Sequence, residues 1–139
     1  MINIDIIDKP VDLSDSEWVG DIPGHPGVRF KVRSSNYKPF KMAHDRLLRS
    51  YGRQAMVAIS TPEYQKAAGE LLSEHILTDW EKAITKNGKP AKYDRKMADH
   101  VLSSVDDRGI GQMFRDAVNY CAGVVADRHI KVAEDISGN

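Results

Sequence analysis

Ile110-Gly111-Gln112-Met113-Phe114-Arg115-Asp116-Ala117-Val118-Asn119-Tyr120-Cys121-Ala122-Gly123-Val124-Val125 is the most regular stretch of the chain, with apolar side chains at Ile110, Met113, Phe114, Ala117, Val118, Cys121, Val124 and Val125. Steps of three and four residues return to one face of an α-helix. The spacing predicts an amphipathic helix that Asp106 or Asp107 opens, because a carboxylate favours a helix N-terminus, and that frays before Ser137-Gly138-Asn139. In water such a stripe has to be covered, since burial at roughly 25 cal/mol per Å² is worth several kcal/mol per face.

Upstream the same period recurs. Asp94 caps a helix carrying Met97, Ala98, Val101, Leu102 and Val105. Before it, Asn87-Gly88 lies between Trp80 to Thr85 and Lys89 to Tyr93. That dipeptide tolerates positive φ and predicts a tight hairpin-like turn, although Pro90 disfavours a regular second strand. Ser60-Thr61-Pro62-Glu63 is a helix-start signal; Tyr64, Ala67, Ala68, Leu71, Leu72, His75 and Ile76 follow on one face, to an end near Leu77. Pro39 opens a long helix whose stripe runs from Phe40 to Ile59, weakened at Gly52. Val28 to Arg33 alternates apolar and basic residues, which predicts a short strand able to pair with Trp18 to Ile22. The expectation is a mainly α fold of about four amphipathic helices, with a small N-terminal β element and a hairpin-like loop between the second and third helices. Residues 1–27, with Pro10, Pro23 and Pro26, form an extended or loop-rich arm, and residues 28–139 a single mainly helical domain.

With 139 residues, 41% hydrophobic and 29% charged, the chain suits one soluble domain rather than a disordered or collagenous one. Its single cysteine fits a reducing compartment. Acids among Met1 to Asp8 argue against a signal peptide, and the uncharged run Ala117 to Ala126 is too short to span a bilayer, so no membrane association is expected.

The charge is zero in total but uneven along the chain. Residues 1–27 hold six acids and one base, and residues 28–66 nine bases and two acids. Either the arm folds back on the basic block or the block faces an acidic partner. Eight bases between residues 28 and 53 stand with Phe30, Tyr37, Phe40 and Tyr51 interleaved, the composition of a nucleic-acid surface, and Arg46, Arg49 and Arg53 at helical spacing would form its ridge. An aromatic and basic helix face is more commonly core on one side and solvated charge on the other.

The residues offer little to catalysis. Cys121 lies on the apolar stripe of the last helix and reads as a small core hydrophobe. His25, His44, His75, His100 and His129 include no i, i+4 pair that would hold a metal. Gly109 and Gly111 lack the strand and helix context of a phosphate loop. No catalytic residue, metal or cofactor is expected, and the chain is read as no enzyme.

His75-Ile76-Leu77-Thr78-Asp79-Trp80, then Asn87-Gly88-Lys89-Pro90-Ala91-Lys92-Tyr93-Asp94 and the apolar helix from Met97 to Val105, resemble the tail assembly chaperones of long-tailed bacteriophages. The likeness covers residues 60–125, with a weaker one over Val28 to Leu48. It implies a non-enzymatic protein of the host cell cytoplasm, absent from the mature virion, that binds the tape measure protein and helps recruit tail tube protein subunits. It also implies a longer form made by ribosomal frameshifting. Such a task needs adaptable apolar surface, which methionine supplies. Met42, Met56, Met97 and Met113, with Trp80 as an anchor, are therefore the expected protein-binding residues, self-association being a further option. The alternatives are a nucleic-acid-binding protein using Arg46, Arg49 and Arg53, and a structural component of the phage particle.

Overall fold

A computed structural model describes residues 3–137. Its strands are β1 (Glu17–Val19), β2 (Arg29–Val32), β3 (Leu77–Glu81), β4 (Thr85–Lys86) and β5 (Lys89–Pro90). Its helices are α1 (Lys38–Ser50), α2 (Ala55–Ala58), α3 (Pro62–His75), α4 (Arg95–Leu102) and α5 (Ile110–Ser137). The fold is mixed α and β, which corrects the expectation of a mainly α protein with about four helices: the described residues hold five helices, a three-stranded sheet and a two-stranded one.

Two local effects produce the difference. The stripe from Phe40 to Ile59 is not one helix, because Gly52 takes φ +55° and the chain turns through a 3₁₀ segment into the short α2. In the other, β3 pairs antiparallel with β2, in the order β1-β2-β3. Opposite the β2 pair Lys31 and Val32 stand Asp79 and Leu77, so Thr78 is the extra residue of a bulge. Leu77 and Trp80 are both buried although three residues apart. That spacing mimics a helix, and the strand's period of two is hidden in the sequence. The other local signals are used: Thr61 Oγ1 accepts from the Tyr64 N–H at the start of α3, and Asp94 Oδ2 accepts from Met97 N–H at the start of α4. Asn87 and Gly88, with φ +55° and +75°, make the β4–β5 turn.

The core lies between the sheet and α3, α4 and α5. Val19, Phe30, Val32 and Trp80 come from the sheet, Leu72 and Ile76 from α3 and its end, Leu102 from α4, and Phe114, Val118, Cys121 and Val125 from α5. Phe30 meets Phe114 edge to face, with centroids 5.2 Å apart, an arrangement that adds to the area buried. The N-terminal residues run along α5 and are tied there: Glu17 contacts Arg128 at 3.3 Å and His129 at 3.0 Å. By contrast α1 contributes no fully buried residue. It leans on α3 through Phe40, His44, Tyr51 and Tyr64, with His44 Nε2 2.7 Å from the Tyr64 hydroxyl. The α1–α2 segment therefore lies at the margin of the core, with Ala58 its one buried side chain among the described residues.

Candidate interaction surface

The amphipathicity of α1 positions its side chains. Phe40, Ala43, His44, Leu47 and Leu48 are half-buried, while Lys41, Met42, Asp45, Arg46 and Arg49 are exposed. The turn at Gly52 then presents Met56, Val57 and Ile59 to solvent. Met42 is 53% exposed and Met56 82% exposed. Between α1 and α3 a groove of about 530 Å³ runs along Pro39, Met42, Ala43 and Arg46, with Leu71, Glu74 and His75 on its other wall. The flexible Met42 thioether at a groove of mixed polarity suits a protein partner.

The five residues expected to bind a partner do not form one surface. Met42 and Met56 lie on the α1–α2 corner, whereas Met113 is exposed near the start of α5, beside the exposed Val105 and Ile110. Met97 is half-buried against the core. Trp80 is 4% exposed, its Nε1–H donates to the Ala91 carbonyl at 2.9 Å, and its ring meets Tyr93 and Phe114 edge to face. It fastens the β4–β5 hairpin to the sheet from within. Val57 and Ile59 are exposed there without having been expected as binding residues; Val57 lies off the predicted stripe, and a break at Gly52 was the signal that would have released Ile59 from it.

The basic segment divides in two. Arg29 pairs with Glu81 at 3.0 Å and lies over the Trp18 ring. Arg33 donates to the carbonyls of Ser14 and His75 and covers Tyr37. Lys38, Lys41, Arg46, Arg49 and Arg53 are exposed and make no ion pair among the described residues. Arg46 and Arg49 share α1, but Arg53 comes after the turn, so the three do not continue one helical ridge. Of the interleaved aromatics, Phe30 is in the core and Tyr37, Phe40 and Tyr51 are half-buried in ring contacts. The acidic arm lies along α5 and also folds back on the first part of this block, where β1 pairs with β2, Trp18 lies against Arg29 and the Ser14 carbonyl accepts from Arg33.

A second hollow, of about 500 Å³, lies between the arm and α5, with Ile6, Leu13, Ala126 and Ile130 among its walls. His129 lines it too, and its Nδ1 is buried with no hydrogen-bond partner among the described residues.

Burial pushes the Cys121 thiol up to about 11 and keeps it protonated near neutrality. Burial also raises the Tyr64 hydroxyl. No group of three or more His, Cys, Asp or Glu among the described residues is placed to hold a metal ion, and none of the described helices is long and apolar enough to cross a membrane. What the geometry offers is an α1–α2 segment that exposes both apolar side chains and cations with no ion pair among the described residues.

No curated protein and no solved structure matches the chain. A family model described as YdaY prophage protein matches residues 35–139, which takes in every helix and the whole α1–α2 corner, so the chain belongs to the YdaY prophage protein family and is phage-derived.

Proposed function

We propose that this prophage protein is a tail assembly chaperone that binds the tape measure protein, guards its apolar segments and helps recruit tail tube subunits, making and breaking no covalent bond. The single observation that carries the reading is the exposed apolar side chains of the α1–α2 segment: Met42 on α1, and Met56, Val57 and Ile59 after the turn at Gly52, are all exposed, and α1 has no fully buried residue. Surface of that kind is held ready for another chain. Two further features support it. The protein is phage-derived. The segment from His75 to Val105 forms a single strand, hairpin and helix unit around Trp80, and that is the segment with the chaperone-like sequence. On this reading the protein acts in the host cell cytoplasm and leaves before the virion matures.

Co-expression with the tape measure protein of the same prophage tests the proposal. The expected result is a higher soluble yield of that partner and its co-purification with this chain. No change in yield together with no co-purification overturns it.

A second reading rests on Lys38, Lys41, Arg46, Arg49 and Arg53, exposed and without an ion pair among the described residues, which fit a nucleic-acid backbone. It is the weaker one, because the aromatic rings that would stack on bases are already packed against protein. Flat binding titrations with DNA and RNA at low salt dispose of it. Recovery of the chain from purified virions would instead favour a structural component of the particle.

A further inference from the structure

The same chain carries two exposed surfaces that complement each other. On the arm, Ile6 turns toward the hollow against α5, and Ile4 and Ile7 are left 73% and 68% exposed. Beside them the carboxylates of Asp5 and Asp8 are exposed and form no ion pair among the described residues. On the α1–α2 segment the pattern repeats with the opposite charge, since exposed Met56 and Val57 follow exposed Arg46, Arg49 and Arg53 along the chain.

From this complementarity we infer that the acidic arm of one copy docks on the basic corner of a second copy. Apolar groups facing apolar groups supply the attraction, and opposed charges fix which surfaces meet. The chain's zero net charge removes the long-range repulsion that separates copies of strongly charged proteins. Within one chain, neither Asp5 nor Asp8 pairs with Arg46, Arg49 or Arg53 among the described residues. A nucleic acid would neutralise the arginines but leave the isoleucines of the arm in water, whereas a second copy covers both. Donor and acceptor patches differ, so the contact is heterologous and extends from copy to copy unless it closes. The inference does not depend on the proposed client. If that client uses the corner as well, arm and client compete for it.

The test uses the full chain, treated with nuclease, by light scattering over a range of concentrations at about 0.01 M and about 1 M salt, between which the Debye length falls from about 30 Å to about 3 Å. The expected result is a mass above that of one chain at low salt and an apparent Kd at least about tenfold weaker at high salt. A corner variant carrying Arg46→Glu, Arg49→Glu and Arg53→Glu, and an arm variant carrying Asp5→Lys and Asp8→Lys, should each be monomeric with an unchanged circular dichroism spectrum. Mixing the two should restore association, because the reversed charges again oppose. A wild-type chain that is monomeric throughout, association that both variants retain or that nuclease abolishes, or a mixture that stays monomeric would each overturn the inference. None of these measurements involves the tape measure protein, so this result and that of the co-expression are read separately.

Discussion

Gly69 of α3 lies directly against the carbonyl oxygen of Leu102 at the end of α4: a Cβ at residue 69 would stand 1.8 Å from that oxygen and 2.4 Å from its carbon. Main chain cannot yield as a side-chain tip can, so the two helices would have to separate. Gly69→Ala is expected to cost about 3 kcal/mol or more, read as a lower urea midpoint. Gly123 of α5 has nothing within 4 Å of the same position. Gly123→Ala should therefore stabilise by about 0.5–1 kcal/mol through its helix preference.

The Leu102 carbonyl is also an acceptor for Arg115. Arg115 Nη1 donates to Leu102 O at 2.8 Å and to Ser104 O at 2.6 Å, from a residue only 4% exposed. One guanidinium thus satisfies two carbonyls where α4 ends. Arg115→Met would leave both unpaired and the fork missing, for an expected loss of about 3 kcal/mol in a denaturant titration. Arg115→Lys should fall between that variant and the wild type, because an ammonium lacks the rigid planar fork.

These two relationships mark the limit of what the sequence discloses. The stripe from Ile110 to Val125, the caps at Thr61 and Asp94 and the turn at Asn87-Gly88 act over a few residues, and they were legible. The pairing of β3 with β2 joins residues some 50 positions apart, and its bulge set Leu77 and Trp80 at a helical spacing. Gly69 and Arg115 likewise acquire their roles only once α3, α4 and α5 are brought together. For the candidate site, Met42 and Met56 could be picked out as methionines beside a stripe, but Trp80 reads alike whether it anchors a partner or closes a core. Exposure of Ile59, a residue of the predicted stripe, depended on the break at Gly52, which local propensity weakly indicates.

Cys121 should be silent to thiol reagents in the native state at pH 8 and react once the protein is unfolded, because burial holds its thiol at about 11. The same shift gives an alkaline pH dependence. An unfolded thiol ionises near 9.0 and the folded one near 11, so between those values the unfolded chain has lost a proton that the native protein keeps. Stability is unaffected below about pH 9 and falls as the pH rises from there. Burial raises Tyr64 and Tyr93 as well, which acts in the same direction above pH 10. Thermal melts from pH 8 to pH 11 should show this slope, and Cys121→Ala should make it shallower.

Trp80→Phe keeps a ring between Tyr93 and Phe114 and deletes the Nε1–H that reaches the Ala91 carbonyl. Its expected cost is about 1–2 kcal/mol, the lost hydrogen bond plus a small void. If Trp80 belongs to the core, this variant loses stability yet retains any affinity for a partner under conditions where it is folded. A selective loss of binding with the melting temperature unchanged would return Trp80 to the interaction surface.

Met42→Ser with Met56→Ser should separate the two properties in the opposite sense. Both side chains are more than half exposed, so neither substitution opens a cavity, and the melting temperature is expected to stay within the range of ordinary surface changes, about 0.5 kcal/mol either way. Co-purification with the tape measure protein should nevertheless fall at least about tenfold, because apolar contact area is removed where a client would lie, and about 1.4 kcal/mol is enough for that factor. Met97→Leu supplies the control. Met97 is half-buried against the core and not on the corner, and a volume-conserving exchange there costs little, so it should leave both yield and affinity unchanged. If the two serine substitutions leave co-purification as strong as in the wild type, the client contact lies off the α1–α2 corner, and the exposed Val105, Ile110 and Met113 become the surface to test next.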